Sequence, residues 1–190
     1  MNEKGLMVAD LMAGDKEETH QRNDKPNLTT TAAIRLLLDR ASSVDEAVAL
    51  MGQYDMNSEL KSAHHLSVAD ANGKSVVVEY VDGGMLVTET KVVTNYYIGD
   101  CAKRGVGSEQ SHLRFDTLDA FDGVADAETV RNLLETVAQK NYPQTDGSYE
   151  KTMWSIVYDP AVRQAQFYFA ENYTHYYWLL LGEKGDFIKS

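Results

Sequence analysis

The strongest local constraint in this 190-residue chain is Asn72-Gly73. Asn-Gly is a strong tight-turn signal because both residues accept the backbone that a two-residue hairpin needs. Residues 65–70 and 75–80 flank it and read as paired strands. Asp82-Gly83-Gly84 turns the chain again into a strand over 85–88, and 91–95 follows as another. The centre of the chain is therefore an antiparallel meander.

The flanks set the class. Residues 5–12 read as a strand, and 13–29 as a polar loop holding Gly14, Pro26 and Asn27. From Thr30 to residue 41, apolar positions fall at Ala33, Ile34, Leu37, Leu38 and Ala41, the spacing of a helix with one buried face. Ser43 and Glu46 have capping-box spacing and open a second helix through Ala47, Leu50 and Met51. A third helix is expected over 108–121, with Leu118 and Phe121 inward. A fourth starts at Asp126 as N-cap and continues through Val130, Leu133, Leu134 and Val137. Strands return over 153–158, 164–169 and 176–181. The order β, αα, ββββ, αα, βββ gives segregated antiparallel sheet and helices, an α+β class. No internal repeat or low-complexity linker divides the chain, so 1–190 reads as a single domain.

Composition narrows the partners. A net charge of −11 argues against nucleic acid, which needs a cationic surface. No apolar run is long enough to span a bilayer, and no targeting signal is legible. The single cysteine, Cys101, rules out an internal disulfide and a cysteine-based zinc cage. His64-His65 lacks a third ligand at metal spacing, so no metal or cofactor is expected. No Ser-His-Asp arrangement is legible either: Ser111 and His112 are helix neighbours pointing about 100° apart. The aromatic C-terminal strands read as sheet packing rather than a stacking site.

Three segments, in order, carry a family resemblance: Asn2-Glu3-Lys4-Gly5-Leu6, Val92-Val93-Thr94-Asn95, and Ser111-His112-Leu113-Arg114-Phe115. Together with the strand at 152–159 they resemble the middle and C-terminal part of the choloylglycine hydrolase family. Those are linear amide C–N hydrolases that include bile salt hydrolases and penicillin V acylases. The resemblance implies an N-terminal-nucleophile hydrolase fold, an αββα sandwich of antiparallel sheets, here incomplete. It also implies hydrolysis of a small-molecule N-acyl amide.

Amide hydrolysis needs a nucleophile, a base and fixed donors for the oxyanion. The family's oxyanion asparagine matches Asn95, although a strand-end asparagine is also an ordinary turn former. A second oxyanion position matches Asn2, which as a near-terminal residue could equally fray. The family's active-site arginine matches Arg114, a residue type also common on helix surfaces. Its family partner, an aspartate of the N-terminal stretch, has no counterpart here. The family nucleophile is an N-terminal cysteine, whereas position 1 is Met. Lys103 and Arg104 could lower the Cys101 thiol pKa, but freeing its amine would sever Asn95 from Arg114. The expectation is a fragment without its nucleophile, inactive alone and prone to homo-oligomerise. The alternatives are a non-catalytic acyl-ligand-binding relative and an assembly module.

Overall fold

In the computed structural model, residues 1–58, 62–143, 147–181 and 188–189 are described. They form two compact units, Met1–Asp119 and Ala120–Ser190.

The first unit is built on a four-stranded antiparallel sheet in the order β1-β4-β5-β6. Its strands are β1 (Met7–Met12), β4 (His64–Ala69), β5 (Ser75–Val81) and β6 (Gly84–Glu89). The predicted turn joins β4 to β5 in the register Ala69↔Ser75, with Gly73 at φ +85°. Between β1 and β4 run β2 (Asn27–Thr29), α1 (Thr30–Arg40), α2 (Val44–Met51) and β3 (Asp55–Asn57). β2 lies at the end of what reads as a polar loop, β3 follows the second helix, and the two form a short parallel pair.

One face of the sheet meets the helices. Leu66, Val68, Val76, Val78 and Tyr80 pack with Ala33, Leu37, Val44, Ala47 and Met51. Residues alternating along β4 and β5 therefore bury one set toward the helices. The helix starts follow the sequence. Ser43 Oγ accepts from Glu46 N–H at 3.3 Å. Glu46, however, reaches one residue further back than a capping box requires and accepts from Ser42 N–H at 2.7 Å.

The expected strand over 91–95 does not form: these residues belong to no β-ladder. Thr90 explains the break. Its hydroxyl accepts from Val92 N–H at 3.2 Å and donates to Val92 C=O at 2.8 Å, which diverts backbone groups from the sheet ladder. α3 (Glu109–Asp119) closes the unit, and Leu118 on it is half-buried rather than a core residue.

The second unit holds α4 (Ala127–Val137), capped by Asp126, whose carboxylate accepts from Thr129 N–H at 2.7 Å. A two-residue hairpin, β7 (Tyr142–Pro143) with β8 (Tyr149–Glu150), follows. The main sheet contains β9 (Trp154–Asp159), β10 (Gln164–Phe169), β11 (Tyr177–Leu180) and β12 (Ile188–Lys189), in sequence order and antiparallel. Val157, Tyr168 and Tyr173 form its core beneath Val130 and Leu134 of α4. Tyr168 and Tyr173 stack with centroids 5.6 Å apart, while Phe169 and Tyr177 on the same aromatic run are exposed. No described helix is long and apolar enough to cross a membrane.

Candidate active site

The segment after β6 is fastened to α3 residue by residue. Thr94 and Ser111 are both buried, and Ser111 Oγ lies 3.1 Å from Thr94 Oγ1. Thr94 Oγ1 also donates to Ser111 C=O at 3.0 Å. Tyr96 meets His112 and Phe115 edge-on, with centroids at 4.3 and 5.3 Å. Between these two anchors, Arg114 Nη2 donates to Asn95 Oδ1 at 3.0 Å. Helical spacing places residues 111, 114 and 115 on one face, which is why one short extended stretch can meet all three.

The same asparagine is tied to the first strand. Asn95 Nδ2 donates to Met12 C=O at 2.9 Å. A guanidinium only donates, so Arg114 fixes the amide orientation: oxygen toward the arginine, nitrogen toward Met12. Among the described residues, that leaves the second amide hydrogen of Asn95 without an acceptor at a half-buried position.

The backbone of Asn95 is packed as tightly as its side chain. A β-carbon on Gly14 would lie 2.6 Å from the Asn95 carbonyl oxygen, and one on Gly107 would lie 2.7 Å from it. Tyr96 and Gly107 form an isolated antiparallel bridge. Tyr97 is buried with Ala13 and Ala63, and burial pushes its phenol up to about 12. Lys103 then ties the following loop back to the first strand's exit, 2.7 Å from Asp15 and 2.5 Å from Glu17.

This clamp is expected to respond to pH. The Lys103 hydrogen bond holds the Asp15 carboxyl below its usual value of 3.8. A depressed folded-state pKa contributes stability above the unfolded value and loses it as pH falls through the folded one. Asp15→Asn is therefore expected to lower the urea midpoint at pH 6, with the difference shrinking as pH falls below 3.8 and through the depressed folded-state value. A pH-independent difference would show that the ion pair is not its cause.

Asn2 is placed elsewhere. Its Nδ2 donates to the C=O of Leu38 and of Ala41 at 2.9 and 2.8 Å, while Oδ1 accepts from Lys4 and Leu6 N–H at 3.1 and 3.0 Å. Both amide hydrogens are spent on the end of α1. Asn2 precedes β1, whereas Asn95 binds the strand's far end. Six residues at about 3.3 Å each separate them by roughly 20 Å. The structure thus brings Asn95 and Arg114 into contact, while the Asn2 amide bonds the end of α1.

Cys101 is half-buried against Ala13, Ala63 and Tyr97. The cations beside it in sequence turn away: Lys103 to Asp15 and Glu17, and Arg104 to Asp100 at 3.9 Å. The two histidines each find a carboxylate that sequence spacing hides. His64 meets Asp10 at 2.9 Å and His65 meets Glu79 at 3.3 Å. Ser62 Oγ lies 3.0 Å from His64 Nε2, so a Ser-His-Asp array is present after all, spread over 10–64 rather than on α3. No cluster of three metal-ligating side chains occurs among the described residues.

Comparison with known proteins places the chain in a family. The chain belongs to the acyl-coenzyme A:6-aminopenicillanic acid acyl-transferase family, whose model matches residues 1–174. It is 32% identical over 108 residues to a penicillin V acylase of Pectobacterium atrosepticum, covering 50% of this chain and 29% of that protein. Among solved structures, it superposes on a variant of the conjugated bile acid hydrolase of Clostridium perfringens with a TM-score of 0.63. That match has 16% identity and covers all of this chain and 71% of the other. The penicillin V acylase of Agrobacterium tumefaciens matches with a TM-score of 0.64 at 19% identity, covering 96% of this chain and 65% of that one. The expected N-terminal-nucleophile hydrolase fold is the fold found.

Proposed function

We propose that residues 1–190 form the oxyanion-side framework of a hydrolase that cleaves non-peptide amide bonds of small N-acyl compounds. The observation that carries this reading is the Asn95 amide, oriented by Arg114 at 3.0 Å and anchored on Met12 at 2.9 Å. A donor fixed before the substrate arrives needs no reorganisation when charge develops on the carbonyl oxygen. Asn95 can offer its remaining N–H without bringing a charge. Arg114 supplies positive potential close by and keeps the amide from flipping.

Cys101 is the single cysteine and packs in a small apolar cluster. Cys101 is accordingly not assigned as the attacking thiol, and residues 1–190 alone are expected to be inactive. The substrate range extends to acylated penicillins and conjugated bile acids, by the names of the relatives. A homo-oligomer is the assembly expected.

The test is amine release from penicillin V and a glycine-conjugated bile acid, using the gene product that carries both these residues and its nucleophile. Asn95→Ala should lower kcat by about 10²–10³-fold, the usual effect of losing one oxyanion donor. Undiminished kcat in that variant removes Asn95 from the reaction. Failure of the parent protein to turn over any N-acyl amide removes the hydrolase reading itself.

A further inference from the structure

The Ser62–His64–Asp10 array stands apart from the amide-hydrolase reading. His64 Nδ1 donates to Asp10 Oδ1 at 2.9 Å, because a carboxylate can only accept. That bond fixes the tautomer, so Nε2 faces Ser62 Oγ, at 3.0 Å, with its lone pair. A hydroxyl aimed at an imidazole that is itself oriented by a carboxylate is the general arrangement of an activated serine.

The three residues are held there independently. Thr19 Oγ1 accepts from His64 N–H at 2.9 Å and donates to His64 C=O at 3.3 Å, so one side chain grips both backbone groups of the histidine. Thr19 N–H also donates to Ser62 C=O at 3.4 Å. β1 and β4 pair with Met12 opposite His64 and Asp10 opposite Leu66. Asp10 is therefore the same-face diagonal neighbour of His64, within reach of a short side chain. β1 is an edge strand, and Met12 across from His64 is 51% exposed. Ser62 and His64 are themselves buried, at 8% and 4% exposed, so only a small electrophile is expected to reach the hydroxyl, from the Met12 side.

We infer that Ser62, with His64 as base and Asp10 as its orienting carboxylate, is a nucleophilic serine that accepts acyl groups from small activated esters. Ser62 Oγ forms a bond to the ester carbonyl carbon and the Oγ proton passes to His64 Nε2. The C–O bond to the alcohol then breaks, and the departing alkoxide takes that proton. Water hydrolyses the acyl-serine by the same route, restoring the hydroxyl. Sequence spacing hides this site because Asp10 and His64 are 54 positions apart.

The test uses a small alkyl fluorophosphonate, in which Oγ displaces fluoride and forms a stable phosphonyl ester. Intact mass should show one adduct, and peptide mapping should place it on Ser62. Ser62→Ala should abolish it. Asp10→Asn, which preserves shape but disrupts the tautomer, should slow labelling on the order of 100-fold or more while circular dichroism stays native. Absence of an adduct on the folded parent protein overturns the inference. So does an adduct on another residue, or Asp10→Asn labelling at the parent rate. The readout does not pass through amide hydrolysis, so it stands or falls separately from the test of Asn95.

Discussion

Replacing Glu79 with leucine is expected to cost about 3–5 kcal/mol of folding free energy. Glu79 is fully buried in the middle of β5, yet its carboxylate is fully engaged. Oε1 accepts from Ile98 N–H at 2.8 Å, Oε2 accepts from Gly99 N–H at 2.7 Å, and His65 Nδ1 lies 3.3 Å away. Short N–H···O bonds to a carboxyl group are among the stronger hydrogen bonds in proteins. Leucine would fill most of the volume but accept nothing. Each abandoned backbone donor costs about 1–3 kcal/mol, and His65, whose Nε2 already lacks a partner among the described residues, would lose its other contact. No repacking can rescue the site cheaply. Besides Glu79, a β-carbon on Gly99 would lie 2.4 Å from Leu86 Cδ2 and 2.9 Å from Thr88 Oγ1, so the Gly99 backbone is closely flanked by β6 side chains. Domains of this kind are stable by only about 5–15 kcal/mol, so the variant should unfold at much lower urea. Native-state hydrogen exchange should show Ile98 and Gly99 amides losing protection before the centre of β4. A variant within 1 kcal/mol of the parent would show that water satisfies the two donors.

Glu79 also shows where sequence reading stops. The run Ser75 to Tyr80 is legible as a strand, and its alternation puts Val76, Val78 and Tyr80 on one face. Nothing local says that the other face, with Val77 and Glu79, is equally buried, because the loop that covers it comes some 20 residues later. The helix starts at Ser43 and Asp126 were legible because a cap is decided within four residues. So was the Asn72-Gly73 hairpin. The stretch 91–95 misled because Val92 and Val93 have strand character. A strand also needs a partner, and the hydroxyl of Thr90 turns the chain off the ladder. The Asn95–Arg114 contact became readable only through the family resemblance; spacing alone does not tell a helix-surface arginine from one that orients an amide. Asn2 shows the converse. A matched position in a motif says nothing about where its amide hydrogens go, and here both go to α1.

Replacing Gly14 with alanine is expected to cost about 3 kcal/mol or more and to dislodge the Asn95 amide, and a second glycine separates the causes. Gly14 and Gly73 both have positive φ, +77° and +85°. An L-residue held in that region costs on the order of 1–2 kcal/mol at either site. Space distinguishes them. Around Gly73 nothing lies within 4 Å of an added β-carbon, so Gly73→Ala should show the conformational cost alone. At Gly14 the same carbon would lie 2.6 Å from the Asn95 carbonyl oxygen and 2.8 Å from the Gly107 α-carbon, both backbone atoms. Backbone cannot rotate away as a side chain can, so either the Gly14 turn or the Asn95 segment must move. Thr94 and Tyr96 hold that segment to α3, and Met12 holds its amide, so the shift should break the Asn95–Met12 bond of 2.9 Å. The difference between the two alanine variants in urea midpoint, multiplied by the common m-value, measures the clash alone. Amine release by the nucleophile-bearing protein should fall in Gly14→Ala by a factor like that of Asn95→Ala and be unchanged in Gly73→Ala. Equal stability losses in the two variants would mean that the Gly14 turn yields easily and that Asn95 is not gripped from this side.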